Sequence, residues 1–368
     1  MLMERRPTGW IEQAVTARME GDPAAAATAY VKALERDPAD PRALRGLYYL
    51  NLDPADRGAL LPSLRSAIET ATPHPLGLHL LAHWLHEADP AAALNLNRRA
   101  ARHGLPTTRL RPAEDAAAAS GGLPEVVILG APKSGTTSLA AYLAGHPRIW
   151  LHPLKELHFF DNHWQRGEAW YRSQFPPLRS PGLLRLEATP NYLQHPEAPQ
   201  RMHQMMPQAR LIVLLREPFD RALSWIGHMR TLIGLQGDTA ALLAEEAGRL
   251  EAMSAAERAA LGWCRPNALS GSLYAHHLRR WRAVWPASQL LVLRFEDLAL
   301  QPEQVVRRCL AFLDLDPDAL PAGRSYPVHN RGSLPTTATS TATAIDPALA
   351  RRCREGVLAE ALDLWTNL

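Results

Sequence analysis

The chain has 368 residues, 46% of them hydrophobic, which is enough to bury one large core or two smaller ones. Its 40 Lys and Arg residues are scattered among 37 Asp and Glu residues and the net charge is only +3, so the composition indicates neither a nucleic-acid-binding nor an anionic-membrane-binding protein. Three widely spaced cysteines, Cys264, Cys309 and Cys353, form no CxxC pair, which argues against structural zinc and against a disulfide framework.

The start of the chain, MLMERRPTGWIEQ, carries charge but is followed by no apolar segment of the kind found in signal peptides. No part of the sequence approaches the ~18 consecutive apolar residues that a membrane-spanning helix needs. Together with the cysteine pattern, these observations predict a cytoplasmic protein that does not span a membrane.

Residues 10 to 119 are rich in Ala and Leu at helical spacing and show no clear strand pattern. Three stretches, GDPAAAATAYVKALERDP, LDPADRGALLPSLRSAIETATP and ADPAAALNLNRRAARHGLP, align so that Ala33, Ala67 and Ala100 coincide, at a period of 34 and then 33 residues. This period resembles that of the tetratricopeptide repeat. We predict an all-α repeat domain over residues 1–119. Such repeats commonly bind peptide or protein partners, and stacking that stabilises a neighbouring domain is an equally good interpretation.

Three histidines of this region, His79, His83 and His86, fall on one helical face in HLLAHWLH. Histidines at this spacing are able to bind zinc. No carboxylate lies at the offset that would complete such a site, so we interpret the histidines as a polar helix face and predict no metal site.

Residues 111–125, RPAEDAAAASGGLPE, are rich in Ala, Gly, Ser and Pro and predict a linker. Three short apolar runs follow, EVVILG (125–130), ARLIVLLR (209–216) and QLLVLRFEDL (289–298), with helical patterns between them. Alternation of this kind is typical of a parallel sheet flanked by helices. We predict an α/β domain with a P-loop-like parallel sheet over residues 120–368.

The loop after the first strand, GAPKSGTTS, is suited to binding an anion. Gly130 and Gly135 allow close backbone approach, Lys133 supplies charge, and the helix expected to begin near Ser138 offers free N–H groups. The two glycines fit the Walker A spacing, but Thr136 stands where that pattern has its lysine, which argues against a kinase or ATPase. The candidate anion-binding residues of the loop are Lys133, Ser134, Gly135, Thr136, Thr137 and Ser138.

A second candidate anion-binding element lies in LIVLLREPFDRALS. The strand is expected to end at Arg216, and Asp220 is expected to cap a helix whose first turn carries Ser224. Arg216 and Ser224 would then converge on one anion. An ion pair of Arg216 with Glu217 or Asp220 is the alternative interpretation.

The string KSGTTSL resembles the 5′-phosphosulfate loop of the sulfotransferases that use 3′-phosphoadenosine 5′-phosphosulfate (PAPS), and the resemblance continues through later blocks in the same order. It implies that residues 133–138 bind the 5′-phosphosulfate and that Arg216 and Ser224 bind the 3′-phosphate of PAPS and of its product 3′-phosphoadenosine 5′-phosphate (PAP). An ATP-using enzyme has no 3′-phosphate to bind, so a second anion-binding element is what a PAPS enzyme requires.

Two further blocks carry the resemblance. In NALSGSLYAHHLRRW, Gly271, Tyr274 and Trp281 are helically spaced as in a family helix, which implies that Tyr274 lines the nucleotide site, whereas Trp281 fits the core. PVHNRGSLP is a looser match to the family loop that closes over the nucleotide, and it implies this role for Arg331 and Gly332. An ordinary surface loop is the alternative for that last block.

The acceptor of a transferred sulfuryl group loses a proton and therefore needs a base. HPLKELHFFD resembles the corresponding stretch of the heparan sulfate O- and N-sulfotransferases, in which the glutamate is the base, and this implies that role for Glu156. The apolar Leu157, Phe159 and Phe160 would raise the pKa of Glu156, which suits a base, and Lys155 would oppose that shift. His158 and His152 are reserve candidates for the base, and Lys133 is the candidate that meets the negative charge of the leaving oxygen.

RLEATPNYLQHPEAPQRM resembles a further family block and retains Glu187, for which we favour a structural role. Ala188 stands where heparan-type enzymes have a lysine, which argues against a glycosaminoglycan acceptor and leaves Lys155 as a substitute charge. Trp164, Trp170 and Tyr171 would either stack on an acceptor or lie in the core. Residues 242–263 would form either a lid over the acceptor or a solvated helical face.

The predicted protein is a PAPS-dependent sulfotransferase that modifies a hydroxyl of a carbohydrate or small natural product, without a metal, with a helical repeat domain as a candidate surface for a peptide or protein partner. A peptide tyrosine is the next candidate acceptor. The competing hypotheses are a P-loop kinase or ATPase, which ATP turnover with magnesium would reveal, and a repeat-based interaction protein that binds a nucleotide without turnover.

Overall fold

The computed structural model describes most of the chain, namely residues 9–70, 72–103, 105, 107–111, 121–179, 182–262, 267–320, 323–329 and 345–368. Several positions singled out in the sequence, Cys264, Arg331 and Gly332, lie outside these ranges, as does most of the predicted linker. Within the described ranges, no helix combines the length and the apolar character that crossing a bilayer requires.

The chain forms two compact units. The first consists of Met1–Leu123, His152–Leu154 and Gly167–Ser180, and the second consists of Pro124–Leu151, Lys155–Arg166 and Pro181–Leu368. The first unit therefore takes two short pieces from the later part of the chain. The predicted domain boundary between residues 119 and 120 lies outside the described residues and stays a prediction.

The first unit is helical in its described part. Its helices are α1 (Trp10–Met19), α2 (Pro23–Arg36), α3 (Pro41–Tyr48), α4 (Pro54–Ile68), α5 (Pro75–Leu85) and α6 (Pro90–Arg102), and the later piece of the chain adds a short helix, Gly167–Ser173. Four of them begin at an Asp-Pro dipeptide, where the aspartate side chain accepts a backbone N–H of the first turn and proline occupies a position that needs no N–H partner.

The helices of the first unit pack through small residues. Tyr30 of α2 lies over Gly46 of α3 so closely that a Cβ on Gly46 would meet the tyrosine ring at 2.4 Å. The aligned residues Ala33, Ala67 and Ala100 are all buried and lie in α2, α4 and α6, the second helix of each successive pair. This placement agrees with the predicted period, and the assignment to tetratricopeptide repeats stays a prediction.

The second unit is built around a parallel sheet of five strands in the order β2-β3-β1-β4-β5. The strands are β1 (Val126–Gly130), β2 (Ile149–Leu151), β3 (Leu184–Glu187), β4 (Arg210–Leu215) and β5 (Leu290–Arg294). The three predicted strands are present, and the predicted fold class, a parallel sheet flanked by helices, is confirmed. Sequence reasoning missed β2 and β3 because they have only three and four residues. The run 289–298 was predicted as one strand but turns into a helix after Arg294.

Helices flank this sheet. The helices after α6 are numbered in chain order as α7 (Thr136–Leu143), α8 (Gly167–Ser173, the short helix of the first unit), α9 (Ala198–Met205), α10 (Pro218–Ile233), α11 (Thr239–Ala252), α12 (Ala255–Ala260), α13 (Tyr274–Arg282), α14 (Phe295–Leu300), α15 (Pro302–Phe312), α16 (Pro347–Arg351) and α17 (Ala359–Thr366), and all of them except α8 belong to the second unit. Because β1 and β4 are adjacent and parallel, the segments after their carboxyl ends meet at one edge of the sheet.

Candidate functional site

The loop after β1 leads directly into α7, which begins at Thr136 rather than near Ser138 as predicted. Gly135 caps this helix at φ +82°, and a Cβ there would lie 2.8 Å from the Phe295 ring, so the position requires glycine. Ser134 and Thr136 are buried. The first N–H groups of α7 have no partner within the helix, which makes this turn suitable for an anion.

Lys133 lies in this loop with φ +71°, a left-handed conformation that is uncommon for a residue with a side chain. Burial lowers the pKa of the Lys133 ammonium, the carboxylate of Glu156 raises it, and the positive charges of Arg216, Arg221 and Lys155 lower it again. Four cationic side chains and one carboxylate therefore lie within electrostatic reach of one another. Such a concentration of positive charge, in which Lys155 and Arg221 are buried, favours an anionic ligand.

Arg216 follows β4, and its position is held through its main chain. The hydroxyl of Tyr274 donates to the Arg216 carbonyl at 2.9 Å, and the Arg216 guanidinium lies 5.2 Å from the centre of the Phe295 ring. Burial raises the pKa of Tyr274 to about 12, so this phenol stays protonated and keeps donating.

The alternative interpretation of Arg216, an ion pair with its neighbours, does not match the described contacts. The carboxylates of Glu217 and Asp220 face Arg354, at 3.2 and 3.6 Å. The predicted helix cap was also wrong: Glu217, not Asp220, caps α10 and accepts the Asp220 N–H. Because α10 begins at Pro218, Ser224 lies in its second turn rather than its first, and no hydrogen bond of the described residues joins it to Arg216.

Arg221, which the sequence reasoning missed, is a fully buried cation in α10. Its Nε donates to Ser272 Oγ at 2.7 Å, and its Nη2 donates to the carbonyl of Asn267 at 2.8 Å and to that of Ala268. A Cβ at Gly271 would lie 2.8 Å from this guanidinium, so the glycine makes room for it. The signal was available, since Arg221 is the only other arginine in LREPFDRALS.

The loop that receives Arg221 is held from its other side by Glu246 of α11. This carboxylate is fully buried and accepts the backbone N–H groups of Ala268, Leu269 and Ser270 at 3.0 Å each, and the Ser270 hydroxyl at 2.7 Å. The predicted segment 242–263 thus presents a buried polar contact rather than only a solvated face. Gly271 lies in the turn before α13 rather than in the helix itself, and Trp281 is buried as predicted.

Helix α7 contacts a segment close to the predicted closing loop. Ser138 Oγ accepts the backbone N–H of His329 at 3.0 Å, and the Tyr142 hydroxyl lies 2.9 Å from the Pro327 carbonyl. Ser138 therefore has a partner within the protein. Arg331 and Gly332 lie beyond the described residues.

Glu156 lies in a chain of alternating charges. Its Oε1 is 2.5 Å from Lys155 Nζ, its Oε2 is 3.6 Å from His158 Nε2, and His158 Nδ1 is 2.8 Å from Asp161 Oδ2. Asp161 was missed in the sequence, although it ends the quoted stretch HPLKELHFFD. Lys155 and His158 both have positive φ, at 67° and 52°, which turns their side chains toward Glu156 from either side.

The pKa of Glu156 moves in the direction opposite to that expected. Burial raises it, but the positive charges of Lys155 and His158 outweigh burial and hold it well below its ordinary value. Burial lowers the pKa of His158, whereas Asp161 and Glu156 raise it to about 10, so the imidazole is protonated at neutral pH. Glu156 is then an ionised carboxylate, and with 30% of its side chain exposed it is accessible from outside.

A second buried carboxylate, Glu187, fixes the backbone around Glu156. Glu187 Oε1 accepts the hydroxyls of Thr189 at 2.5 Å and Tyr192 at 2.8 Å. Those two hydroxyl oxygens in turn accept the N–H of Leu157 at 3.0 Å and that of Phe159 at 2.8 Å. The contacts agree with the structural role favoured for Glu187, and its partners are the hydroxyl groups of Thr189 and Tyr192.

Other side chains considered in the sequence lie in the first unit. Trp170 and Tyr171 are buried there. His79 was interpreted as part of a polar helix face, but it is buried, its Nδ1 is 3.1 Å from Asn97 Oδ1, and its ring lies 4.6 Å from that of His152. In the described part of the chain, no group of three or more His, Cys, Asp and Glu side chains is placed to hold a metal ion.

The geometry thus places converging cations at a helix start beside an accessible carboxylate, which suits transfer of an anionic group to an acceptor that must lose a proton. Comparison with known proteins is consistent with this chemistry. Residues 123–326 match the model of the sulfotransferase domain. Human heparan sulfate glucosamine 3-O-sulfotransferase 6 is 36% identical over 197 residues, covering 52% of this chain and 52% of that protein.

Human bifunctional heparan sulfate N-deacetylase/N-sulfotransferase 3 is 33% identical over 204 residues, covering 53% of this chain and 23% of that protein. The chain thus spans about half the length of the first of these relatives and less than a quarter of the second. A crystal structure of a sulfotransferase from Alicyclobacillus acidocaldarius is 27% identical, with a TM-score of 0.47, and covers 66% of this chain and 96% of that one.

Proposed function

The chain belongs to the sulfotransferase domain family, and from this premise we propose that it transfers the sulfuryl group of PAPS to a hydroxyl of a carbohydrate or small natural product. The observation that carries the proposal is that Lys133, in the loop before α7, lies within electrostatic reach of Arg216 and Arg221, with the Glu156 carboxylate close enough to raise the pKa of Lys133. A donor with phosphate groups at two positions requires cations from separate elements, and this site has them.

The residues available fit such a donor. Backbone N–H groups at the start of α7 and the Lys133 ammonium suit the 5′-phosphosulfate, and Arg216 at the end of β4 suits the 3′-phosphate. Tyr274 and the Arg221 loop hold the main chain around these cations. Ser224 stays a candidate for the same 3′-phosphate.

Glu156 is the proposed base. It takes the proton of the acceptor hydroxyl as the acceptor oxygen forms its bond to sulfur, and the bond between sulfur and the donor's phosphate oxygen breaks, leaving its electron pair on that oxygen. Lys133 offsets the negative charge that develops there. Catalysis by positioning and charge stabilisation is the expectation for transfer of such a loosely bonded group.

The low pKa of Glu156 makes this carboxylate a weak base that is ionised at neutral pH. Its contribution is to orient the acceptor hydroxyl and to receive the hydroxyl proton late in the transfer of the sulfuryl group. His158 and Lys155 fix the carboxylate from both sides. His158, protonated and hydrogen-bonded to Asp161, is unsuited to act as the base itself.

A carbohydrate hydroxyl is supported as the acceptor by the relatives named for heparan sulfate modification. The site nevertheless differs from the family pattern at one position, because the buried Ala188 stands where that pattern has a lysine. Lys155, in contact with Glu156, is the candidate that supplies this charge. The helical repeats remain a candidate surface for a peptide or protein partner.

Calorimetric titration tests the donor site. Wild-type protein is titrated with PAP, ATP and 5′-AMP, beside Arg216→Ala and beside Arg282→Ala, which removes an exposed arginine of α13. We expect PAP to bind most tightly and Arg216→Ala to weaken it by about ten- to a hundredfold, the effect of one charge-assisted phosphate contact, with Arg282→Ala unchanged. Equal affinity for PAP and ATP would show that the proposed function is wrong.

A further inference from the structure

The segment formed by residues 345–368, here called the C-terminal segment, lies beyond residues 123–326, the part that matches the sulfotransferase domain. It packs against α10, the helix that follows Arg216. Cys353 and Leu358 of the C-terminal segment are fully buried in one apolar cluster with Phe219 and Trp225 of α10. The segment is therefore part of the apolar core that surrounds α10.

The half-buried carboxylate of Glu296 connects the C-terminal segment to the main chain at Arg216. Trp365 Nε1 donates to Glu296 Oε2 at 3.0 Å, and the Glu217 backbone N–H donates to Glu296 Oε1 at 3.0 Å. Glu296 thus uses one oxygen for the tryptophan and the other for the residue directly after Arg216.

The peptide group between Arg216 and Glu217 is held at both of its polar atoms. Its carbonyl oxygen accepts the Tyr274 hydroxyl, and its N–H donates to Glu296. Because a peptide group is planar, fixing both atoms fixes the orientation of the plane, which contains the Arg216 Cα from which the side chain leaves the backbone. Phe295, the neighbour of Glu296, lies beneath the Arg216 guanidinium.

The C-terminal segment also contacts the other side of Glu217. Arg354 Nε is 3.2 Å from Glu217 Oε1, and the Arg354 guanidinium lies 4.4 Å from the centre of the Phe219 ring. Trp365 is in turn covered by the guanidinium of Arg294, 4.4 Å from its ring centre. Two separate contacts of the segment therefore converge on the residue next to Arg216.

We propose that the C-terminal segment completes the anion site, with Trp365 acting through Glu296 as a positioning residue for Arg216. The expected consequence is selective. Loss of the contact between Trp365 and Glu296 weakens binding of the group that Arg216 contacts and leaves the loop at Lys133 unaffected. The identity of that group, the 3′-phosphate, rests on the proposed function. The positioning of Arg216 by Trp365 and Glu296 does not depend on the proposed function.

The test compares Trp365→Phe with wild type. Phenylalanine keeps an aromatic ring under Arg294 and removes the N–H donor together with part of the indole ring. Because Trp365 is only half-buried, we expect the fold to be retained. Glu296→Ala removes the acceptor of both hydrogen bonds. The matched control is Trp285→Phe, which loses a tryptophan N–H bond to the Pro199 carbonyl elsewhere in the same unit.

The first measurement is residue-resolved amide hydrogen exchange without any nucleotide. We expect the Glu217 amide to exchange about tenfold faster in Glu296→Ala, faster by a smaller factor in Trp365→Phe, and unchanged in Trp285→Phe. Wild-type exchange at Glu217 in both Glu296→Ala and Trp365→Phe would overturn the proposal, whatever the protein binds.

The second measurement is the affinity for PAP and for 5′-AMP, which lacks the 3′-phosphate. Trp365→Phe should weaken PAP about three- to tenfold and change 5′-AMP less than about twofold. Equal weakening of both ligands would overturn the selective role assigned to Trp365. A wild-type protein with no preference for PAP over 5′-AMP would instead count against the proposed function, and the exchange data would still decide whether the C-terminal segment positions Arg216.

Discussion

At the scale of single residues, the charges around Glu156 explain why this carboxylate is ionised in spite of its apolar neighbours. Leu157, Phe159 and Phe160 are buried beside it and were expected to raise its pKa. Two cations in contact with the carboxylate act more strongly than this burial. The expectation failed because it counted Lys155 but not His158, and the charge of His158 depends on Asp161, whose contact the sequence does not reveal.

Glu156→Gln tests the base at constant side-chain size. The amide cannot accept the acceptor proton, so kcat should fall about 100- to 10,000-fold, while the affinity for PAP changes less than about threefold. Sulfate transfer to a carbohydrate acceptor and PAP titration measure the two quantities. Glu303→Gln, at an exposed position of α15, is the control and should match wild type. More than about a tenth of the wild-type kcat in Glu156→Gln would mean that another group is the base.

The raised pKa of His158 makes a pH-dependent contribution to stability. Its folded pKa is about 10 and its ordinary value is 6.5, so the imidazolium stabilises the folded state fully below pH 6.5 and loses this effect as pH rises through about 10. The difference in unfolding free energy between wild type and His158→Gln, measured by urea titration at several pH values, should therefore shrink as pH rises. A difference that grows with pH would contradict the assignment.

At the scale of elements, Asp-Pro dipeptides mark four helix starts of the first unit, because an acceptor side chain followed by proline is a local signal. Some starts in the second unit are local as well, such as the capping box of Ser254 and Glu257 at α12, whereas the start of α7 depends on a tertiary contact. Helix α7 begins at Thr136 because Gly135 adopts a left-handed conformation against Phe295, a residue far away in the sequence. Glu217, and not Asp220, caps α10 through a local contact, since its side chain accepts the Asp220 N–H and proline follows it.

Helix packing in the first unit is tested by alanine substitutions at two glycines. Gly46→Ala should destabilise the protein by about 1–3 kcal/mol, because the added methyl group meets the Tyr30 ring. Gly58→Ala is the control within α4, where nothing lies within 4 Å, and it should stabilise by about 0.5–1 kcal/mol through helix propensity alone. Chemical unfolding followed by circular dichroism measures both. A shift in the same direction for the two variants would refute the close packing at Gly46.

The contact of α11 with the loop at residues 268–270 is tested by Glu246→Ala. The substitution leaves three backbone N–H groups and one hydroxyl buried without their acceptor, and we expect a loss of about 3–5 kcal/mol in unfolding free energy. Glu245→Ala, at the exposed neighbouring position, should cost less than about 0.5 kcal/mol. Similar unfolding midpoints for both variants would show that the loop does not depend on Glu246.

At the scale of the whole molecule, motifs located in a single stretch of sequence were predictable and contacts between stretches were not. The loop at Lys133, the strand ending at Arg216 and the segment at Glu156 were all identified from local pattern. Their convergence follows from the order of the parallel strands, with β1 beside β4. Arg221 and Asp161 were missed because their roles depend on partners supplied by the fold, and the C-terminal segment carries no motif.

The division into two units leads to a prediction about truncation. A chain that begins at residue 121 retains the second unit entirely but keeps residues 152–154 and 167–180 without the helices of the first unit. Truncation would expose the buried aromatic side chains of Trp170, Tyr171 and Phe175, and we therefore expect this chain to aggregate. Size-exclusion chromatography of the two chains measures this. A monomeric truncated chain would show that the second unit is independent.

Because the first unit includes His152–Leu154 and Gly167–Ser180 from the later part of the chain, the two units are constrained in how they evolve. A repeat domain joined by a simple linker can be exchanged by recombination at a single point in the gene. Here the segment that carries His152, stacked on His79, continues within three residues to Lys155 and Glu156. A crossover near the linker would separate His152 from its partner, so the helical region and the catalytic region are expected to be inherited together and to diverge in step.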